Sequence, residues 1–390
     1  MKDGQLDAFA EYQKMVDSIF GVGVISVKRN DVGNDVINTW KYVNEFLTFR
    51  QNFQDRLVRL HNAYKDSNNI KVIHNLVANM GEVKNWEGTY AELVAYDVIN
   101  TGYNDECKLD VSRDATFALA EKLGKREVNY DIQMHDDYGV FMDVKAFTDT
   151  LGDILQHSVV DYVLNQDDFK NLQIGIQPEY PFDDNDEDYK NNVKALQQEL
   201  TDRLHELLEK GRNKYSYTSG VIPRLTYRIL IGKGILSTTS EYNAYRRAEQ
   251  LKNFVIQRYC NKLPYNDPFF LVFVNFPWFN QKDRNSFAEF NKALYRSVSR
   301  RTFMQYEHSG ELIHDINPKY TGGELASFAA RKVTGMIFID DHSIIEPSQD
   351  IYIYLNPNAD NKRCCMDTYL NVLSLKGKKG DLDNMCYDNY

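Results

Sequence analysis

An aspartate in one apolar run, a tight polar turn, and Asp-Val-Lys in the following run make up Val128 to Phe147, VNYDIQMHDDYGVFMDVKAF. Side chains along a strand alternate between faces, so Asp143 and Lys145 are expected to point the same way from an otherwise apolar segment. Charge in such a setting is costly unless it is paired or used. The His135-Asp136-Asp137-Tyr138-Gly139 turn is expected to fold the two runs into a hairpin and bring Asp131 near Asp143. Two carboxylates beside an ammonium group can hold a divalent cation and keep a lysine next to it. They can equally form an ordinary ion pair, and the residues alone leave both readings open.

Upstream, Trp86 to Asn100 (WEGTYAELVAYDVIN) reads as a helix with Ala91, Val94, Ala95 and Val98 on its apolar side and Glu92 close to that side. A helical Glu, then Asp, then Asp-x-Lys in chain order resembles the PD-(D/E)XK superfamily of nucleases. The motif-bearing part covers roughly a quarter of the chain, by the usual size of such a unit. Tyr130 stands where that family usually has proline. The resemblance implies an α/β fold, with a restriction-endonuclease-like mixed β-sheet core flanked by helices, an N-terminal helical region and a helical insertion. It also implies a Mg²⁺-dependent endonuclease, with Mn²⁺ as an alternative ion. Asp131 and Asp143 would be the main metal ligands, the Val144 carbonyl a further one, and Glu92 a direct or water-mediated third. Lys145 would orient the attacking water and offset phosphate charge, so Glu92, Asp131, Asp143 and Lys145 form the implied catalytic set. Magnesium suits this set because it prefers hard oxygen ligands and keeps several waters. Many members of the superfamily serve in bacterial restriction or anti-phage defence, which the resemblance extends to this chain.

The formal net charge of −10 looks unsuited to a nucleic-acid enzyme until it is mapped along the chain. Lys210 to Arg301 carries 17 Lys+Arg against 5 Asp+Glu, a local +12 that leaves −22 on the remainder. Polyanion binding depends on local potential rather than total charge. Arg246, Arg247, Lys252, Arg258 and Lys262, with Lys292, Arg296, Arg300 and Arg301, are the candidate phosphate contacts. Basic residues merely covering amphipathic helices are the competing reading for each one. Arg50, Arg56, Arg59 and His61, beside the apolar stripe Phe46, Phe49, Phe53, Leu57 and Leu60, are read as a solvated helix face.

With 390 residues and 43% hydrophobic content the chain can bury a sizeable core. The amino-terminal stretch has no basic region followed by a long apolar run, and no segment is long and apolar enough to span a bilayer, so a cytoplasmic protein without membrane contact is expected. Five cysteines include no C-x-x-C pair, which argues for reduced thiols. No GxxxxGK[ST] loop, HExxH or GxSxG occurs, so no nucleotide cofactor is expected. Five regions are expected: an N-terminal helical region, 1–80; the first part of the core, 81–177; an acidic loop and helical insertion, 178–221; the second part of the core with basic helices, 222–358; and a polar tail, 359–390. Asp110 to Gly124 is read as a helix or irregular connection, Pro223 to Ile231 as a core strand, Thr239 to Asn261 as one long helix, and Asp340-Asp341-His342 as a structural or turn motif. DNA is the expected partner, with RNA left open because nothing reads the sugar. Double-strand cleavage with one such site calls for a homodimer. A catalytically silent nucleic-acid- or partner-binding module of the same fold is the alternative. Such a module usually lacks a carboxylate or the lysine, whereas all four residues are present here.

Overall fold

A computed structural model of the chain describes residues 7–26, 34–42, 44–81, 86–101, 107–134, 139–147, 150–180, 186–233, 244–276 and 285–361. In chain order it contains helices α1 (Ala8–Phe20), α2 (Asp35–Asn38), α3 (Leu47–Tyr64), α4 (Ile70–Asn79) and α5 (Trp86–Asn100), then strands β1 (Lys108–Asp114), β2 (Glu127–Met134) and β3 (Val140–Ala146). There follow α6 (Thr150–Asp153), a π-helical stretch Ile154–Val160, α7 (Asp161–Leu164), β4 (Ile174–Glu179), α8 (Asp186–Glu209), β5 (Lys214–Thr218), β6 (Thr226–Ile231) and α9 (Ala244–Gln250). The chain continues through β7 (Phe269–Asn275), α10 (Asn285–Met304), α11 (Ile313–Ile316), α12 (Ala326–Lys332), β8 (Gly335–Asp341) and β9 (Gln349–Leu355). It divides into two compact units, one of residues 1–147 and 251–390 and the other of residues 148–250.

The larger unit is an α/β body on a six-stranded mixed sheet of order β1-β2-β3-β7-β8-β9. β3, β7 and β8 run parallel, and antiparallel pairs close both ends. Phe269–Asn275 is an almost unbroken apolar run because both of its faces are covered. One sheet face, including Met142, Val144, Val272, Val274, Ile337 and Ile339, shares a core with Tyr90, Ala91, Val94 and Val98 of α5. Helix α5 is itself buried nearly all round, lying between that face and helices α3 and α4. On the other face Phe273, Phe338 and Tyr295 of α10 stack. Asp7 caps α1 by accepting from the Phe9 and Ala10 amides at 3.1 and 3.3 Å.

The smaller unit has its own core and its own sheet, β4-β6-β5, all antiparallel. Leu196, Leu200, Leu204 and Leu207 of α8 recur every three or four residues and are all buried against Tyr217, Tyr227 and Ile229.

Several expectations need correction. The Pro223 to Ile231 stretch supplies β6, which pairs only within the small sheet with β4 and β5, so the inserted body spans 148–250 rather than 178–221. An apolar alternation marks a strand but does not say which sheet it joins. Lys108 to Asp114 is an edge strand, too polar to be seen as one from sequence. The described part of Thr239 to Asn261 is broken: α9 ends at Gln250, and a π-helical turn (Val255–Tyr259) follows. Residues 239–243, the turn residues His135 to Tyr138, and 362–390 of the expected tail lie outside the described residues. Gly139 ends that turn at φ +47, and a Cβ there would meet the Phe141 ring at 2.7 Å, so glycine is required before β3. Asp360, at the head of the tail, pairs with Lys332 at 2.9 Å. Among the described residues no helix is long and apolar enough to cross a membrane.

Candidate active site

The site sits where two strands part. β2 and β3 pair at Met134↔Val140, Gln133↔Phe141 and Ile132↔Met142, and the ladder stops there. The next positions are Asp131 and Asp143. Beyond them β3 runs on with β7, through Asp143↔Leu271 and Lys145↔Phe273, while β2 runs on with β1, through Val111↔Tyr130. The sheet therefore forks, and across the fork the Val144 N–H donates to Asp131 Oδ2 at 2.5 Å. The Val144 side chain stays in the core, so only its backbone reaches the site.

Asp143 is fully buried, and each of its oxygens meets an ammonium group: Oδ2 faces Lys145 Nζ and Oδ1 faces Lys262 Nζ, both at 2.8 Å. Lys145 Nζ also lies 3.8 Å from Asp131 Oδ2. Both contacts are ion pairs, and neither Asp143 oxygen meets the full geometric criteria of a hydrogen bond. Glu92 joins from α5, half-buried, with the Tyr96 hydroxyl donating to its Oε2 at 3.5 Å. Burial first, and then the charge of Asp131, push the Glu92 carboxyl up to about 8; Asp143 and Asp110 add to this and Lys145 opposes it. Burial and then Asp143 push Asp131 up to about 6. Burial works against the Lys145 ammonium, but Asp143 and Asp131 outweigh it and hold its pKa above the usual lysine value. Beside these carboxylates Lys145 is thus held as a cation, suited to orienting water and offsetting charge. Tyr259 places its ring centroid 6.0 Å from the Lys145 nitrogen.

Asp131, Asp143, Lys145 and the Val144 amide thus meet at the fork, and Glu92 is near enough to feel their charges. Two further residues of the site were not assigned to it from sequence. Lys262 is expected from sequence as a phosphate contact on a basic helix, not as a neighbour of the carboxylates, and its contact with Asp143 links distant parts of the chain. Asp110, on β1, has φ +50, the left-handed region rare for residues other than glycine, and the Asp110–Asp131 step is missing from an otherwise continuous ladder. Its charge is felt at Glu92.

Among the described residues no three His, Cys, Asp or Glu side chains are already gathered as a metal cage. The donor set nevertheless fits a hard divalent ion: carboxylate oxygens converge, and a buried carboxylate lacks aligned donors. Ammonium groups fill the cationic role here.

Among the candidate phosphate contacts, Lys252, Arg258 and Arg300 are exposed and Arg296 and Arg301 half-buried, all in the larger unit. The Lys252 carbonyl accepts from Gln305 Nε2 at 2.6 Å, which ties this segment to the end of α10. Arg246 and Arg247 belong to the 148–250 unit; Arg247 is half-buried, and the Arg246 side chain is outside the description. The solvated-face reading fails for Arg56 but not for Arg59, whose side chain is 48% exposed. Arg56 is buried, with Asp97 Oδ2 at 3.3 Å and Asp341 Oδ1 at 2.9 Å, and Arg59 pairs with Asp97 at 2.7 Å. Asp341 also accepts from Tyr90 at 2.5 Å, Asp340 accepts from Tyr295 at 2.5 Å, and His342 meets Asp350 at 2.9 Å, so Asp340-Asp341-His342 is engaged in structural contacts.

No family model, curated protein or solved structure matches the chain.

Proposed function

We propose that the chain is a divalent-metal-dependent nuclease of the PD-(D/E)XK kind that hydrolyses phosphodiester bonds in DNA. The observation that carries this reading is the convergence of Asp131, Asp143 and Lys145 at the fork between β2 and β3, with Glu92 arriving from α5. Asp131, Asp143 and the Val144 carbonyl would hold Mg²⁺ or Mn²⁺, with Glu92 joining directly or through water. When bound, the ion supplies charge for the phosphate and lowers the pKa of water. Lys145, held as an ammonium, points a water at phosphorus and offsets charge on the non-bridging oxygens. Asp131, through the Val144 amide, keeps β3 aimed at the fork. Lys252, Arg258, Arg296, Arg300 and Arg301 offer contacts to the phosphate backbone, and a homodimer would place a second site on the opposite strand.

The catalytically silent reading has one observation in its favour: Asp143 already faces two ammonium groups. One experiment separates the two. Purified protein is expected to degrade DNA with Mg²⁺ or Mn²⁺ and to stop with chelator. Asp143→Ala and Lys145→Ala should abolish cutting with little loss of DNA binding, because phosphate affinity resides mainly elsewhere. A Lys145→Ala protein that cuts at the wild-type rate refutes the nuclease site, and a wild type that binds DNA but never cuts supports the silent module.

A further inference from the structure

Lys262 reaches the fork from a part of the chain remote from the other site residues. It ends a short turn, Cys260–Lys262, that is pinned on its C-terminal side: the Leu119 amide donates to the Leu263 carbonyl at 2.9 Å, and the Tyr265 amide donates to the Phe117 carbonyl at 3.1 Å. Asn317 Nδ2 fixes the preceding turn through the Ile256 carbonyl at 3.1 Å. From this rigid base the ammonium group contacts Asp143 Oδ1 and also donates to the Asn129 carbonyl on β2. The Lys262 side chain is 19% exposed, so the nitrogen sits at the mouth of the site, bridging the two strands that fork.

Asp143 meets a second ammonium group on its other oxygen, since Lys145 sits there at the same distance. With Lys145 and Lys262 facing Asp131 and Asp143, the four charges balance. With a divalent cation held by Asp131 and Asp143, Lys145 and Lys262 would face excess positive charge and lose part of their attraction to the carboxylates. Lys262 can then swing on its flexible stem while its backbone stays fixed. An anionic phosphodiester brought to the mouth is the natural acceptor.

We propose that Lys262 is a second lysine of the site that exchanges Asp143 for a phosphate oxygen of the nucleic acid when a divalent cation binds. This rests on the nuclease reading of the same residues. Hydrolysis forms a bond between phosphorus and the water oxygen and breaks the bond to the leaving sugar oxygen, with the water proton passing to solvent and the leaving oxygen taking one from it. Lys262 transfers no proton; it holds the negative charge that builds on the phosphoryl oxygens.

The test has two readouts on the full chain. Mn²⁺ affinity without nucleic acid, by titration calorimetry, is expected to be tighter in Lys262→Gln and Lys262→Met than in wild type, because a competing cation is gone. Cleavage of duplex DNA with saturating Mn²⁺ is expected to fall on the order of 10²-fold, the usual cost of one charge-stabilising donor. Lys262→Met keeps most of the hydrocarbon stem, and matching thermal transitions in either variant show that folding is intact. Unchanged Mn²⁺ affinity, or cleavage at the wild-type rate, overturns the proposal. If wild-type protein binds Mn²⁺ but never cuts, the nuclease reading has failed by itself. Lys262 is then judged by affinity for the duplex with Ca²⁺ present: weaker binding by the variants supports the phosphate contact, and equal binding overturns it.

Discussion

Glu92 is the residue at which the site's electrostatics can be read most directly. Its carboxyl moves from an ordinary 4.5 up to about 8, chiefly by burial and then by Asp131. Across that window the folded, metal-free protein holds a proton that the unfolded chain has released. By linkage, the stabilising contribution is fully present below 4.5 and is lost as pH rises through 8. Asp131, raised from 3.8 to about 6, acts with the same sign at lower pH. In chelator, Glu92→Gln should therefore melt near the wild-type temperature at about pH 5 and clearly above it at about pH 9. Melting curves for both proteins at the two pH values check this, and a constant difference between them would place Glu92 outside the coupled cluster. Mn²⁺ binding must expel these protons, so its affinity should rise over the same range.

At the scale of elements, the chief tie between α3, α5 and the end of β8 is Arg56. Its guanidinium meets Asp97 of α5 and Asp341 of β8, with Tyr90 and Ser343 completing the set. Arg56→Ala leaves the buried Asp341 without a cation, while Asp97 keeps Arg59, and should cost about 3 kcal/mol in urea unfolding. Arg59→Ala, at a half-exposed position, should cost less. Sequence alone could not show this tie, because Arg56 occupies a helix position that looks solvated until its partners arrive from distant elements. The same limit hid the pairing of Lys262 with Asp143, although the residue itself stands out as basic. By contrast, α5 and the β2–β3 hairpin were legible, since helical spacing and strand alternation are local properties: Ala91, Val94, Ala95 and Val98 are indeed buried, and Asp143 and Lys145 do share a side. β1 escaped notice because its edge position leaves it polar, and β6 was put in the wrong sheet because pairing partners are not encoded in a strand's own pattern.

For the whole molecule, the division of charge matters more than its total. Arg296 and Arg300 lie four residues apart along α10, so they rise on one side of the helix. If that side tracks a phosphate backbone, Arg296→Ala/Arg300→Ala should weaken binding to all duplex sequences alike and flatten the salt dependence by roughly 0.9 per lost contact. Mn²⁺ affinity should not change. An unaltered slope, measured as binding constant against salt, would move the backbone contact off α10. The 148–250 unit brings its own core and sheet, and its late boundary was the organisational feature least visible in sequence, since its last strand resembles those of the larger sheet.

The contact between Asp143 and Lys262 spans about 120 residues of chain, most of them in that unit. During synthesis the polypeptide emerges from its amino end, so the hairpin carrying Asp131, Asp143 and Lys145 leaves the ribosome well before Lys262 does. β7, the neighbour that holds β3 in place on the other side of the fork, is made later still. A nascent or prematurely terminated chain that stops short of these residues carries the carboxylates without the strand that aligns them. Assembly of the site is thereby deferred until most of the protein has been made.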